Sequence, residues 1–218
     1  MAITLNGTGT VDLGSNGSIA NLAVGGVPDG TIDKDALANE AVSGTKVGNG
    51  GIIQVKSVHF NSGVASQSHP AQNSSQSWWE YDNANLRIGI TPTTASNKIL
   101  VMGHVTVGAN VSTAVSFRIY RRLGSGTGAM VGSNTATNGT AYLCFGSTLI
   151  DQTNQAYTLP FTYLDTPANA SDEHVYYLGF NHNSSSNREL NINTSGDDSN
   201  NYACERPTSG ITLMEVVA

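Results

Sequence analysis

Apolar and polar positions alternate with a period of two along most of the chain beyond residue 51. In Ser116-Phe117-Arg118-Ile119-Tyr120-Arg121, Phe117 and Ile119 fall on one face while Arg118 points away. Over 158–165, Leu159, Phe161 and Tyr163 share a face. Over 210–217, Ile211, Leu213, Glu215 and Val217 share one face, and Thr212, Met214 and Val216 the other. This period marks half-buried strands. It predicts strands over 52–60, 86–91, 98–107, 114–121, 140–150, 157–164, 174–181, 188–193 and 210–217. Segments rich in Gly, Asn, Ser and Thr separate them, and no helical period competes. Short strands with such punctuation predict an all-β fold: a C-terminal antiparallel β-sandwich, jelly-roll-like, over 51–218. Long loops are expected at 61–77, 123–139 and 181–187. On a sandwich, loops gather at the ends, where binding usually sits.

Residues 1–50 read differently, with no aromatic residue and no arginine. Ile3/Leu5 and Val11/Leu13 show strand spacing, and 33–42 predicts one short helix capped by Thr31 or Asp33. Leu37 and Ala41, with Ile32 or Ala38, give that helix a narrow apolar stripe. A loop with transient helicity is the competing reading, because so short a helix is marginal alone. The apolar residues are too few for a separate core, so the segment is either disordered or packs against other chains. The second option makes Ile3, Leu5, Val11, Leu13, Ile32, Leu37 and Ala41 candidate oligomerisation residues. Residues 47–51 read as a hinge.

A length of 218 residues suffices for a genuine core without disulfides or metals. The formal net charge of -6 argues against a nucleic-acid partner, which would need a basic stripe. Only 12% of residues are charged, about half the usual share, so solubility falls to amides and hydroxyls. Cys144 and Cys204 read as two small buried hydrophobes, with a bridge between them left open. No secretory signal and no membrane span are expected, which implies synthesis in a cytoplasm without secretory export.

The chain carries no Gly-x-Ser-x-Gly elbow, paired-His zinc motif or Walker sequence. Gly124-Ser125-Gly126-Thr127-Gly128 follows a strand but precedes no helical pattern, so it reads as a flexible loop. His174 and His182 would lie on one strand face about 27 Å apart, too far to share a metal. Residues 196–201 offer oxygens but lack calcium-loop spacing. No catalytic residue, metal or cofactor is expected. Trp78-Trp79-Glu80-Tyr81 is the densest aromatic patch, suited to sugar stacking or to an interface. Strand geometry sends Trp78 and Trp79 to opposite faces, one toward the core.

Several motifs together resemble a known family. Ile90-Thr91-Pro92 is followed by Asn97-Lys98-Ile99-Leu100-Val101. Later come Tyr163-Leu164-Asp165-Thr166-Pro167, Leu190-Asn191-Ile192-Asn193 and the ending Ile211-Thr212-Leu213-Met214-Glu215-Val216-Val217-Ala218. At the start, 23–32, 36–42 and Lys46 fit as well. In order and spacing these resemble tail-fibre-like virion proteins of bacteriophages, a type common in marine phages. The resemblance implies a homotrimeric virion appendage, not an enzyme. Residues 1–50 would attach to other virion proteins and the sandwich would be distal, without membrane insertion. A host glycan or protein is the implied further partner. Candidate receptor contacts are Trp79, Tyr81, Ser125, Thr127, Asn134, Asn183 and Asn187. Two alternatives stay open: a head, neck or collar fibre without host recognition, and a carbohydrate-binding or TNF/C1q-like module.

Overall fold

Alternation decides the long strands. In β5 (Lys98–Ala109), Ile99, Val101, Val105 and Val107 turn inward and are fully buried. In β6 (Thr113–Leu123), Val115, Phe117 and Ile119 do the same. Branched and aromatic side chains favour the pleated backbone because they pack well on a half-buried surface. The computed structural model describes residues 49–62, 64–69, 78–81, 85–132, 144–196 and 206–218. Among these there is no helix.

Two antiparallel sheets face each other. In the first, β9 (Tyr157–Asp165) flanks one side of β5. The other side of β5 carries β12 (Ser209–Val216) along Lys98–His104 and β11 (Arg188–Ile192) along Val107–Ala109. Outside these lie β1 (Ile52–Phe60) on β12 and β2 (Val64–His69) on β11. In the second sheet, β10 (His174–His182) pairs with β6 along its whole length. Beyond β10 lie β3 (Trp79–Tyr81) and β4 (Ile88–Ile90). Beyond β6 lie β7 (Ala129–Val131) and β8 (Gly146–Ile150). Counted as columns, β1/β2, β11/β12, β5 and β9 make one layer, and β3/β4, β10, β6 and β7/β8 the other. That is the strand order of a jelly roll, as the alternation predicts.

The core lies between the layers: Leu86, Ile90, Ile150, Leu178, Ile192 and Leu213 are among its fully buried members. Each such side chain contributes about 1.5–3 kcal/mol by leaving water. Two strands fall where loops are expected, and a third lies outside the predicted runs. β2 lies inside 61–77 and β7 inside 123–139, and β3 holds the tryptophan patch. β3 and β7 have three residues each, too few to display a period. β2 reads Val-Ala-Ser-Gln-Ser-His, polar enough to hide its pairing with β11. The predicted N-terminal strands and helix, with Ile3, Leu5, Val11, Leu13, Ile32, Leu37 and Ala41, lie outside the described residues. So do Asn134, Cys204, the start of the strand predicted from 140, and 197–201. Cys144 is half-buried and free.

The β1/β2 and β11/β12 columns break at the same level, and Asn193 holds the break. Its φ of 59° is left-handed, a conformation that asparagine tolerates better than other non-glycine residues. Its Nδ2 donates to the carbonyls of Phe60 (2.8 Å) and Ser62 (3.3 Å). Its Oδ1 accepts from Ser209 Oγ, which in turn accepts from the Thr106 amide. Asn193→Ala is expected to destabilise by roughly 2–4 kcal/mol, through lost buried bonds and left-handed strain. Asn193→Gly, which keeps the backbone conformation, should cost about 1 kcal/mol less. Urea midpoints of the two variants against the parent check this ordering.

Candidate functional site

The strongest polar clusters sit at the end where the chain enters the sandwich, called the near end. There Gly50 N donates to Val217 O, and Val217 N to Gly51 O. Beside this joint Glu215 is fully buried on β12. Its Oε1 accepts from the Thr93 amide (2.6 Å), Thr93 Oγ1 (2.8 Å) and Asn97 Nδ2 (2.6 Å). Its Oε2 accepts from Gln54 Nε2 at 2.5 Å, which also donates to Thr91 O. Burial alone would raise the Glu215 pKa. The donors of Asn97, Gln54 and Thr93 outweigh it and hold the carboxyl below the ordinary value of 4.5.

A second buried carboxylate joins the two layers. Asp165, at the end of β9, receives Arg121 Nη1 (2.5 Å) and the Tyr176 hydroxyl (2.7 Å) on Oδ2, and the Thr166 amide on Oδ1. Burial, and then the charge of Asp165, push the Tyr176 hydroxyl far above its ordinary range. Every carboxylate oxygen in both clusters already has a donor, and Glu215 stays ionised. A general acid would need a raised pKa and a free path to substrate. These clusters act as staples.

The candidate receptor contacts do not come together. Ser125 and Thr127 are exposed on the turn after β6 at the near end, where Gly124 N donates to Glu173 O. Asn183 and Asn187 are exposed at the opposite, far end. β10 separates the two ends by about 27 Å. Trp79 and Tyr81 face inward, packed edge-on against each other, and Tyr81 is only 4% exposed. They fill the core beside Phe60 and Phe180 rather than presenting a surface. Trp78 turns the other way and stacks under the Arg118 guanidinium at 3.6 Å.

Among the described residues, the far end is a polar platform built from three short connections: 110–112, 151–156 and 183–187. Ser112, Asp151, Gln152, Thr153, Gln155, Asn183, Ser185, Ser186 and Asn187 are exposed on it. It is held in place from below. Asn183 Oδ1 accepts from Thr113 Oγ1 and the Ala114 amide. His182 Nδ1 accepts from Ser184 N, and Ser184 Oγ from Ser186 N. The Tyr157 hydroxyl donates to Asp151 Oδ1. Preset amides and hydroxyls bind a hydrogen-bonding ligand with little ordering cost. Sequence reasoning passes over 151–156, although Asp-Gln-Thr-Asn-Gln between two strand runs is a visible signal. The histidines at the two ends of β10, His174 and His182, are both buried.

No protein-family profile and no curated relative matches the chain. Among solved structures, a chain of infectious bursal disease virus, Gt strain, is similar at 11% identity and a TM-score of 0.40. That match covers 75% of this chain and 42% of the viral one. The VP2 subviral particle of the same virus gives a TM-score of 0.34 at 11% identity, over 75% and 41% of the two chains. The CBM22-1 xylan-binding domain of Paenibacillus barcinonensis Xyn10C gives 0.33 at 12% identity, over 78% and 97%. The chain thus spans less than half the length of the viral chains that it matches. At TM-scores below 0.5 the likenesses carry no argument about function.

Glu215→Gln is expected to destabilise by about 2 kcal/mol, because an amide donor then meets a site built from donors. The pH dependence follows from the lowered folded value. The Glu215 contribution is complete above the unfolded value near 4.5 and is lost as pH falls through the lower folded value. The stability gap between parent and Glu215→Gln should therefore be widest at neutral pH and shrink below about pH 4.5. Urea denaturation of both proteins from pH 7 to pH 3 measures it.

Proposed function

We propose that the chain is a structural protein of a bacteriophage particle: a homotrimeric fibre or spike, not an enzyme. Its N-terminal part holds to other virion proteins, and the far end of its sandwich touches a host-cell glycan or protein. The observation that carries the receptor role is the far-end platform. It lies at the end of the sandwich opposite Gly50, where the described chain runs into β1. Its exposed groups are amides and hydroxyls with the Asp151 carboxylate beside them, several braced by hydrogen bonds, the chemistry that recognises sugar hydroxyls or polar peptide. The motif resemblance supports the virion setting. The motif residues Asn97, Asp165, Asn193 and Glu215 are buried joints of the fold, which suits a scaffold whose exposed loops carry the recognition. Three copies would turn a weak contact into firm attachment to a repetitive surface.

Purified protein added to host cells before phage should reduce adsorption. The double variant Gln152→Ala with Asn187→Ala should block at least about tenfold less well, with an unchanged Tm. Failure to block at saturating protein, together with antibody labelling on the head, neck or collar, would replace the receptor role with decoration of the particle.

A further inference from the structure

On an ordinary sandwich the outward positions of each strand are polar. The first sheet breaks this rule across all four columns in one register. Val55 of β1 pairs with Met214 of β12, Met214 with Leu100 of β5, and Leu100 with Leu164 of β9. Directly paired residues share a face, so these four form a continuous apolar row on the outside. One row toward the near end, Ile52 pairs with Val216 and Val216 with Lys98. One row the other way, Met102 sits between Thr212 and Thr162. The exposures are large: 56% for Val55, 50% for Ile52, 45% for Leu164 and 36% for Met102. The outer face of the second sheet is of another kind, with Arg118, Tyr120 and Arg122 on β6 and Tyr177 on β10.

We infer that this outer face of the first sheet is where copies of the chain pack together. The inference deepens the oligomeric part of the proposed function by naming its surface. Two features point to a second copy as the occupant. The first is charge. Among the paired outward positions of β1, β12, β5 and β9, Lys98 alone is charged, in a chain whose net charge is -6. Two acidic copies can approach through a neutral face without repulsion, whereas a partner of opposite charge finds nothing there to hold. The second is size. The seven apolar positions of these rows, each covering two residues' rise by one strand spacing, give an apolar centre of about 220 Å². A standard interface takes about 800 Å² from each partner, with an apolar core and a polar rim. Ser57, His59, Thr162 and His104 stand where that rim is needed.

The test is the mass of the full chain by light scattering over a concentration series. The parent should be an oligomer. Val55→Lys combined with Leu164→Lys changes two exposed edge-strand residues, so the fold and Tm should persist. The variant should be monomeric where the parent is not, with self-association weaker by at least about a hundredfold. Leu149→Lys, equally exposed on the other sheet, should leave the mass unchanged. A parental dimer rather than a trimer would support the face and correct the copy number. A parental monomer, or a double-lysine variant that keeps both its fold and the parental mass, overturns the inference. A monomeric parent whose variant loses Tm would mean that the chain covers the face itself, which also overturns it. Adsorption blocking reads the receptor role separately, so either idea can fail alone.

Discussion

The buried carboxylate of Glu215 is the constraint on which the sandwich depends. Removing such a charge from water costs several kcal/mol unless every lone pair finds a donor. The donors come from two parts of the chain far from Glu215 in sequence: Gln54 on the first strand, and Thr93 and Asn97 on the turn before β5. They converge only when β1, β12 and β5 pair in the observed register. A slip of one residue would bury Met214 and push Glu215 outside, leaving those donors unmet. The hydrophobic pattern alone allows that slip more readily, because Met214 and Val216 would also pack inside. The same register lines up Val55, Met214, Leu100 and Leu164 outside. The polar lock within and the apolar row without are therefore one decision.

Asp165 plays the matching part between layers. β9 belongs to the first sheet, while Arg121 and Tyr176 belong to the second. Nonpolar packing between two sheets is tolerant of sliding, since one aliphatic contact substitutes for another. An ion pair and a phenol hydroxyl aimed at one oxygen are not. The segments that carry the family resemblance contain these joints: 90–101 with Asn97, 163–167 with Asp165, 190–193 with Asn193, and 211–218 with Glu215. What looks like a signature is, physically, the set of places where buried polar groups must meet.

The strands of the sandwich were legible wherever alternation ran for five residues or more. β1 has the predicted bounds, and β9 and β12 lie within a residue or so of theirs. β10 differs from the half-buried strands, for all nine of its residues are buried. Its outward Tyr177 stacks on Tyr120 at 5.4 Å, so neither side faces water. Short strands stayed hidden because three residues hold no period. The candidate contacts scattered for a different reason. Alternation assigns a side chain to a face, but it does not say which loops share an end. That needs the strand order, which places Ser125 and Asn187 at opposite ends and brings 151–156 beside 183–187. Tyr81 misleads because an aromatic with a hydroxyl reads equally well as contact or as core.

The low charge of the chain links these observations. Some of its few charged groups are committed to the interior and its joints: Glu215, and Asp165 with Arg121. Much of the outer surface carries amides and hydroxyls, which bind polar ligands but repel other copies only weakly. Charge is the usual guard against indiscriminate association. With little of it, an open apolar face is stable in solution only if it has one preferred occupant. An edge strand such as β1 adds to the hazard, because its free backbone can extend the sheet. The inferred packing of outer faces between copies would remove the apolar surface while leaving the far end open. An amide-rich platform and the inferred self-association face thus suit each other, the one depending on polar groups at the surface and the other on the scarcity of charge around it.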